Sequence, residues 1–208
     1  MQTRQLAIAG AQVLTPRQFD DDRGTFLEWF TDDAFRAATG APFDLAQANC
    51  SVSAAGVLRG VHFADVPPGQ AKYVFCASGA VLDVVVDLRV GSPTFGRWES
   101  VVLDDVDRRA VHLPVGLGHA FLSLADASTV VYLCSAGYAP GREHGVDPFD
   151  PDLGITWPTT GRDGAPLTLR LSDKDREAPS LRTARDTGLL PTLEACTAHA
   201  ATRGDDRG

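Results

Sequence analysis

Ala80-Val81-Leu82-Asp83-Val84-Val85-Val86-Asp87 is the stretch whose reading decides the fold. It is short and rich in β-branched residues, which predicts a strand rather than a helix. Side chains alternate faces along a strand, so Val81, Asp83, Val85 and Asp87 share one side, and Leu82, Val84, Val86 and Leu88 the other. Two carboxylates on one face of so apolar a strand need solvent or partners. Either that face lines a barrel lumen, where Asp83 supports a neighbouring functional group, or it points outward and Asp87 stands in water.

Similar runs flank it on both sides. Lys72-Tyr73-Val74-Phe75-Cys76, Ser100-Val101-Val102-Leu103 and Ser128-Thr129-Val130-Val131-Tyr132-Leu133-Cys134 read as strands. Turns are expected at Ser78-Gly79, Gly91-Ser92-Pro93 and Asp104-Asp105. Many short strands without alternating helices favour a sandwich or barrel over a parallel α/β sheet. One helix is expected at Asp32-Asp33-Ala34-Phe35-Arg36-Ala37-Ala38, opened by carboxylates and stopped at Gly40, and a short terminal one after Pro191. The linker-like run from Thr159 to Pro166 is too short to separate domains, so one domain over residues 1–208 is expected, with a frayed tail at 202–208.

Nineteen Lys and Arg against 27 Asp and Glu give a net charge of −8 with no basic stretch, which argues against binding along nucleic acid. The most apolar run, Val81 to Val90, is broken by Asp83, Asp87 and Arg89, so no membrane span is expected, and the first residues do not read as a signal peptide. Cys50, Cys76, Cys134 and Cys196 are widely spaced and contain no CxxC pair. They read as reduced, mostly buried thiols of a cytoplasmic protein.

Two histidines stand in Gly-rich settings, Leu58-Arg59-Gly60-Val61-His62-Phe63 and Pro114-Val115-Gly116-Leu117-Gly118-His119-Ala120-Phe121, each expected at a strand edge. Arg59 beside His62 can clamp phosphate or carboxylate bidentately. Neutral imidazole is also a common metal ligand, but His62 is followed by Phe63 and Ala64, so the HxH pair of a metal site is missing and a metal-free site is favoured. Lys72 and Tyr132 gain interest only if their strands face the same cavity as His62. The charged run Leu171-Ser172-Asp173-Lys174-Asp175-Arg176 is either a solvated loop or helix start, or the source of a carboxylate that orients a base histidine. Asp21-Asp22-Arg23-Gly24 reads as a turn whose arginine can pair with an anionic ligand.

Taken in order, Asp22-Arg23-Gly24-Thr25-Phe26-Leu27-Glu28, Gln47-Ala48-Asn49-Cys50-Ser51, the His62 segment, Gln70-Ala71-Lys72-Tyr73-Val74, Asp83 to Arg89, Gly91-Ser92-Pro93-Thr94-Phe95-Gly96, the His119 segment and Leu171-Ser172-Asp173-Lys174-Asp175 closely resemble the dTDP-4-dehydrorhamnose 3,5-epimerase family. The resemblance runs from about residue 3 to residue 190 and is specific as an ordered set. It implies a mainly β, cupin-type antiparallel barrel (jelly roll) with a few short helices. It also implies a homodimer, no cofactor or metal, and the substrate dTDP-4-dehydro-6-deoxy-D-glucose. By position His62 matches the family's base and Asp175 its carboxylate partner, aligned with the second aspartate of the motif rather than Asp173. Tyr132 matches the acid on the opposite face and Lys72 the enolate stabiliser, with His119 close by and Asp83 behind it. Arg23 and Arg59 match diphosphate-binding positions, and Phe26, Glu28, Gln47 and Asn49 positions around the nucleotide, where Phe26 can stack on thymine. Tyr138 matches an aromatic position beside sugar and nucleotide.

This inventory favours inversion at carbons 3 and 5, with inversion at carbon 3 alone in an antibiotic-sugar pathway as the alternative. A keto-sugar isomerase on the same fold is a nearer rival. A metal-dependent cupin and a non-catalytic sugar-nucleotide binding module are the readings from other classes.

Overall fold

The computed structural model describes residues 1–205, with side chains through Thr202. Thirteen strands are formed among them. In chain order they are β1 (Gln2–Gln5), β2 (Gln12–Thr15), β3 (Gln18–Asp21), β4 (Gly24–Leu27), β5 (Gln47–Ser53), β6 (Leu58–Ala64), β7 (Lys72–Ser78), β8 (Ala80–Asp87), β9 (Trp98–Asp104), β10 (Ala110–Leu113), β11 (Leu117–Ser123), β12 (Ser128–Cys134) and β13 (Glu143–Gly145). Four helices complete the set: α1 (Asp32–Thr39), α2 (Asp173–Arg176), α3 (Leu181–Asp186) and α4 (Leu193–Asp205). The helix expected after Pro191 is α4, which continues past Thr202. Residues 206–208 of the tail expected to fray lie outside the described residues.

The strands form a six-stranded sheet, β1-β2-β10-β7-β12-β5, and a five-stranded sheet, β13-β6-β11-β8-β9, with β3 and β4 as a separate hairpin. All paired strands are antiparallel. The two large sheets face one another as a jelly-roll barrel. Their inner faces share one core, to which Val74, Cys76, Val111 and Val130 contribute from one sheet and Val81, Val85, Leu103, Leu117 and Phe121 from the other. The alternation in β8 resolves toward the lumen. Val81 and Val85 lie in this inner core, which puts Asp83 on the same face, while Val84, Val86 and Leu88 pack outward against Leu153, Leu181 and Ala184.

The outer face of the six-stranded sheet is covered by α1 and the aromatic segment before it. Trp29 stacks on Phe75 with centroids 5.2 Å apart, and Tyr73 donates its hydroxyl to Trp29 O at 2.8 Å. Helix α1 begins where Thr31 caps the Ala34 N–H and ends at Gly40, which takes the left-handed conformation that stops a helix.

His62 and His119 are not at strand edges as expected; both are interior residues of β6 and β11. Gly60 explains why a Gly-rich stretch belongs inside a strand here. Its φ is +121°, and a Cβ built on it would stand 2.5 Å from Ala120 Cβ. Close approach at this irregularity sets the register that opposes His62 to His119.

Candidate active site

The candidate site draws on the inner faces of both sheets, from β6, β8 and β11 of one and β5, β7 and β12 of the other. Strand parity decides which side chains reach it. Cys134 is registered with Lys72 and Gln47, and Tyr132 with Val74 and Asn49, so all these side chains stand on the inner face of the six-stranded sheet. From the five-stranded sheet come His62 and His119, registered to each other, and Asp83, adjacent through β8.

Each histidine is held by a carboxylate. His62 Nε2 lies 2.6 Å from Asp175 Oδ1, and His119 Nε2 lies 2.7 Å from Asp83 Oδ2. Asp175 sits in α2, a single helical turn whose start is capped by Ser172 Oγ accepting from the Asp175 N–H. Burial pushes the Asp175 carboxyl up. The hydrogen bond and charge of His62, with help from Ser172 and the Gly60 backbone, outweigh it and hold the group below its ordinary value. Ionised Asp175 accepts, so His62 Nε2 carries the proton and Nδ1 is left as a base. The hydrogen bond falls on Asp175; Asp173 is 93% exposed in its side chain and pairs with Arg176. Asp83 is fully buried, and among the described residues its second oxygen has no hydrogen-bond partner.

Lys72 and Tyr132 face these groups from the opposite sheet. Burial pushes the Lys72 ammonium down, against the pull of Cys134, Glu143 and Asp83. Burial likewise pushes the Tyr132 phenol up, and Arg59 and Glu143 are among the charges that reach it. Arg59 and Glu143 also line the cleft beside His62, so the phenol and the imidazole share one electrostatic environment. That cleft holds about 330 Å³, and Arg170, Ser172 and Asp175 also line it.

Arg59 is anchored by a hydrogen bond from Nε to Ser53 Oγ at 3.3 Å. Gln47 and Asn49 stand at the lumen edge, where Gln47 Nε2 donates to Asn49 Oδ1 and Asn49 Nδ2 donates to Cys134 Sγ. Tyr138 is 64% exposed, and its backbone N–H donates to Gln47 Oε1, which ties its loop to this edge.

Of the residues expected at the site, Arg59, His62 and Asp175 line this cleft, Lys72, Asp83, His119, Tyr132, Gln47, Asn49 and Tyr138 lie outside its lining, and three more sit on or just beyond a hairpin separate from both sheets. Arg23 and Phe26 lie on the free β3–β4 hairpin and Glu28 just beyond it, all exposed; Arg23 pairs only with Asp21, and Phe26 is 66% exposed. Conversely, Glu143 and Arg170 line the cleft although no pattern in the sequence singles them out. The one available signal for Arg170 is its place two residues before the Ser172 cap, where its backbone pairs with Leu58 and Gly56 at the start of β6. Among the described residues no three His, Cys, Asp or Glu side chains are grouped as a metal site, and no helix is long and apolar enough to cross a membrane.

A jelly-roll barrel with a carboxylate-held imidazole on one inner face and a phenol and an ammonium on the other defines a cupin-like protein with groups suited to proton transfer. The sequence matches the dTDP-4-dehydrorhamnose 3,5-epimerase family over residues 5–183, and the chain belongs to that family. It is 59% identical over 202 residues to a dTDP-4-dehydrorhamnose 3,5-epimerase of Mycolicibacterium smegmatis, covering 97% of this chain and 96% of that one. Its fold matches an epimerase of Mycobacterium tuberculosis with a TM-score of 0.91 at 54% identity, covering 97% and 99% of the two chains. It also matches a 3′-monoepimerase of Streptomyces bikiniensis, solved with dTDP-quinovose, with a TM-score of 0.88 at 54% identity, covering 95% and 98%.

Proposed function

We propose that this protein epimerises dTDP-4-dehydro-6-deoxy-D-glucose at carbon 3 and carbon 5, as a single-domain cytoplasmic isomerase that needs no cofactor. One observation carries the reading: Asp175 holds His62 at 2.6 Å on the inner face of the five-stranded sheet, and Tyr132 and Lys72 stand on the inner face of the opposite sheet. The ketone at sugar carbon 4 acidifies the hydrogens on its neighbours. His62 Nδ1 removes one of them, and the electron pair of the broken C–H bond moves onto the ketone oxygen as an enolate. Lys72 stabilises that oxyanion, with His119, backed by Asp83, beside it. Tyr132 delivers its phenolic proton to the opposite face of the same carbon, which inverts the centre. A proton passed from the imidazolium to the phenolate through solvent resets the pair.

Arg59 binds the diphosphate, and Gln47, Asn49 and Tyr138 bound the sugar and nucleotide. Arg23, Phe26 and Glu28 belong to the same binding set but lie away from their own cleft. This supports a homodimer in which the β3–β4 hairpin of one copy closes the cleft of the other. The exposed Phe19–Phe26 pair on that hairpin gives it an apolar contact face. A cytoplasmic setting fits the four unpaired cysteines.

Inversion at carbon 3 alone is the second reading, favoured by the 54% identity to the S. bikiniensis 3′-monoepimerase. Incubation with dTDP-4-dehydro-6-deoxy-D-glucose in D₂O, read by NMR, separates the two. Deuterium at carbons 3 and 5 with the L-lyxo product is expected. Deuterium and inversion at carbon 3 only would select the monoepimerase, and no exchange at either carbon would reject the enzyme on this substrate. Stoichiometric iron, nickel or zinc that supports activity would instead favour a metal-dependent cupin.

A further inference from the structure

A cavity of about 600 Å³ lies far in character from the catalytic cleft, and none of the residues assigned to the reaction lines it. It is bordered by residues 40–44 after α1, by the turn that joins β10 to β11, and by one side of α4, and it is half open to solvent. Most of its wall is apolar or small, including Pro114, Val115 and Leu193.

Among the polar groups that break that wall are His112 and Arg89, with Thr197 and His199 contributed by α4. His112 is 8% exposed, and among the described residues its Nδ1 is buried with no hydrogen-bond partner. Its ring is wedged edge-on against Phe35, with centroids 4.9 Å apart, and burial pushes its pKa down to about 4. The ring is therefore neutral at physiological pH and carries one N–H. Arg89 is 7% exposed and held by Asp87 through Nε and Nη2, with Nη2 also donating to Ala9 O. Among the described residues nothing accepts from Arg89 Nη1. The other formal charges in the wall, Arg36 and Asp44, are of opposite sign.

A buried polar group without a partner calls for an explanation. His112 Nδ1 is such a group, and it shares with the Arg89 guanidinium a half-open cavity whose remaining surface suits an apolar body. Cavities of this size with a few convergent polar groups are the usual form of a small-molecule site. Arginine N–H groups match a carboxylate better than any neutral acceptor. We propose that this cavity is a second ligand site, separate from the catalytic cleft, which takes a small monocarboxylate with an apolar ring system.

Calorimetric titration of the full chain with 2-naphthoate and with the neutral 2-naphthamide tests the assignment. One equivalent of 2-naphthoate should bind, unaffected by saturating dTDP, and the amide should bind at least tenfold more weakly. Thr197→Trp and Ala200→Phe, which fill the cavity from α4, should each weaken 2-naphthoate binding at least tenfold while preserving deuterium exchange into the sugar. Absence of binding at millimolar 2-naphthoate, displacement by dTDP, equal affinity for acid and amide, or undiminished binding by both filled variants would each overturn it.

Discussion

Asp175 is the residue on which the proposed chemistry turns. It is buried, ionised and 2.6 Å from His62 Nε2, so it both selects the imidazole tautomer and stabilises the imidazolium formed after proton abstraction. Asp175→Asn keeps the shape and removes the charge. It should lower kcat by about 10²–10⁴-fold with little change in KM. Asp173→Asn should turn over almost normally, because that side chain points into solvent. Steady-state kinetics on both variants checks the pair, and a normal kcat for Asp175→Asn would move the role elsewhere. The order of the motif already pointed to Asp175 over Asp173; its burial against β6 did not show in a run of six mostly charged residues.

His112 makes a second residue-scale prediction, on stability. Its ordinary pKa of 6.5 falls to about 4 in the folded chain because the ring is buried. Above pH 6.5 folded and unfolded chains both hold it neutral. As pH falls from 6.5 toward 4 the unfolded chain takes up the proton first, so stability is lost across that window. The loss is about 3 kcal/mol at about 1.4 kcal/mol per pH unit. Denaturant melts at pH 7 and pH 4.5 should show a smaller drop for His112→Leu than for the parent chain. An equal drop in both would place the acid lability in other groups.

At the scale of elements, small pieces hold the site. Helix α2 is one turn long and exists because Ser172 caps it. Ser172→Ala should cost about 1 kcal/mol of stability. It should lower kcat by more than that loss explains, since Asp175 would no longer be pinned beside His62. Thermal melting and kinetics on the same preparation distinguish the two effects; unchanged kcat would mean that β6 packing alone positions the carboxylate. Strands were the most legible elements. β-branched enrichment and short spacing predicted β8 and β12 with the bounds observed, because branched side chains suit the pleated surface of a packed strand. The placement of His62 and His119 inside strands escaped that reading. Glycine ordinarily marks a strand end, and here it marks the close approach of β6 to β11 instead.

At the scale of the whole molecule, the proposed dimer turns on the hairpin that carries Arg23 and Phe26. If a second copy supplies those residues, Phe26→Ala and His62→Asn subunits are each defective for different reasons. Mixing them should restore activity in mixed dimers, each having one cleft with a wild-type His62 and a wild-type hairpin. Refolding an equimolar mixture should therefore recover about a quarter of the parent activity. Recovery no greater than the average of the two separate variants would show that each chain completes its own cleft.

Sequence alone determined the class of the protein: many short β-branched runs without alternating helices favour a sandwich or barrel, and the ordered motifs around His62, Lys72, His119 and Asp175 resemble one family, whose jelly-roll barrel they imply. Periodicity and motif order are local properties, so they survive in one dimension. Tertiary structure alone decided what meets what. It turned Asp83 inward onto His119, brought Glu143 and Arg170 to the cleft, kept Arg23, Phe26 and Glu28 out of it, and buried His112 beside a cavity no motif announces. Those outcomes depend on sheet register and on contacts between residues far apart in the chain, which the spacing of residues along the sequence does not encode.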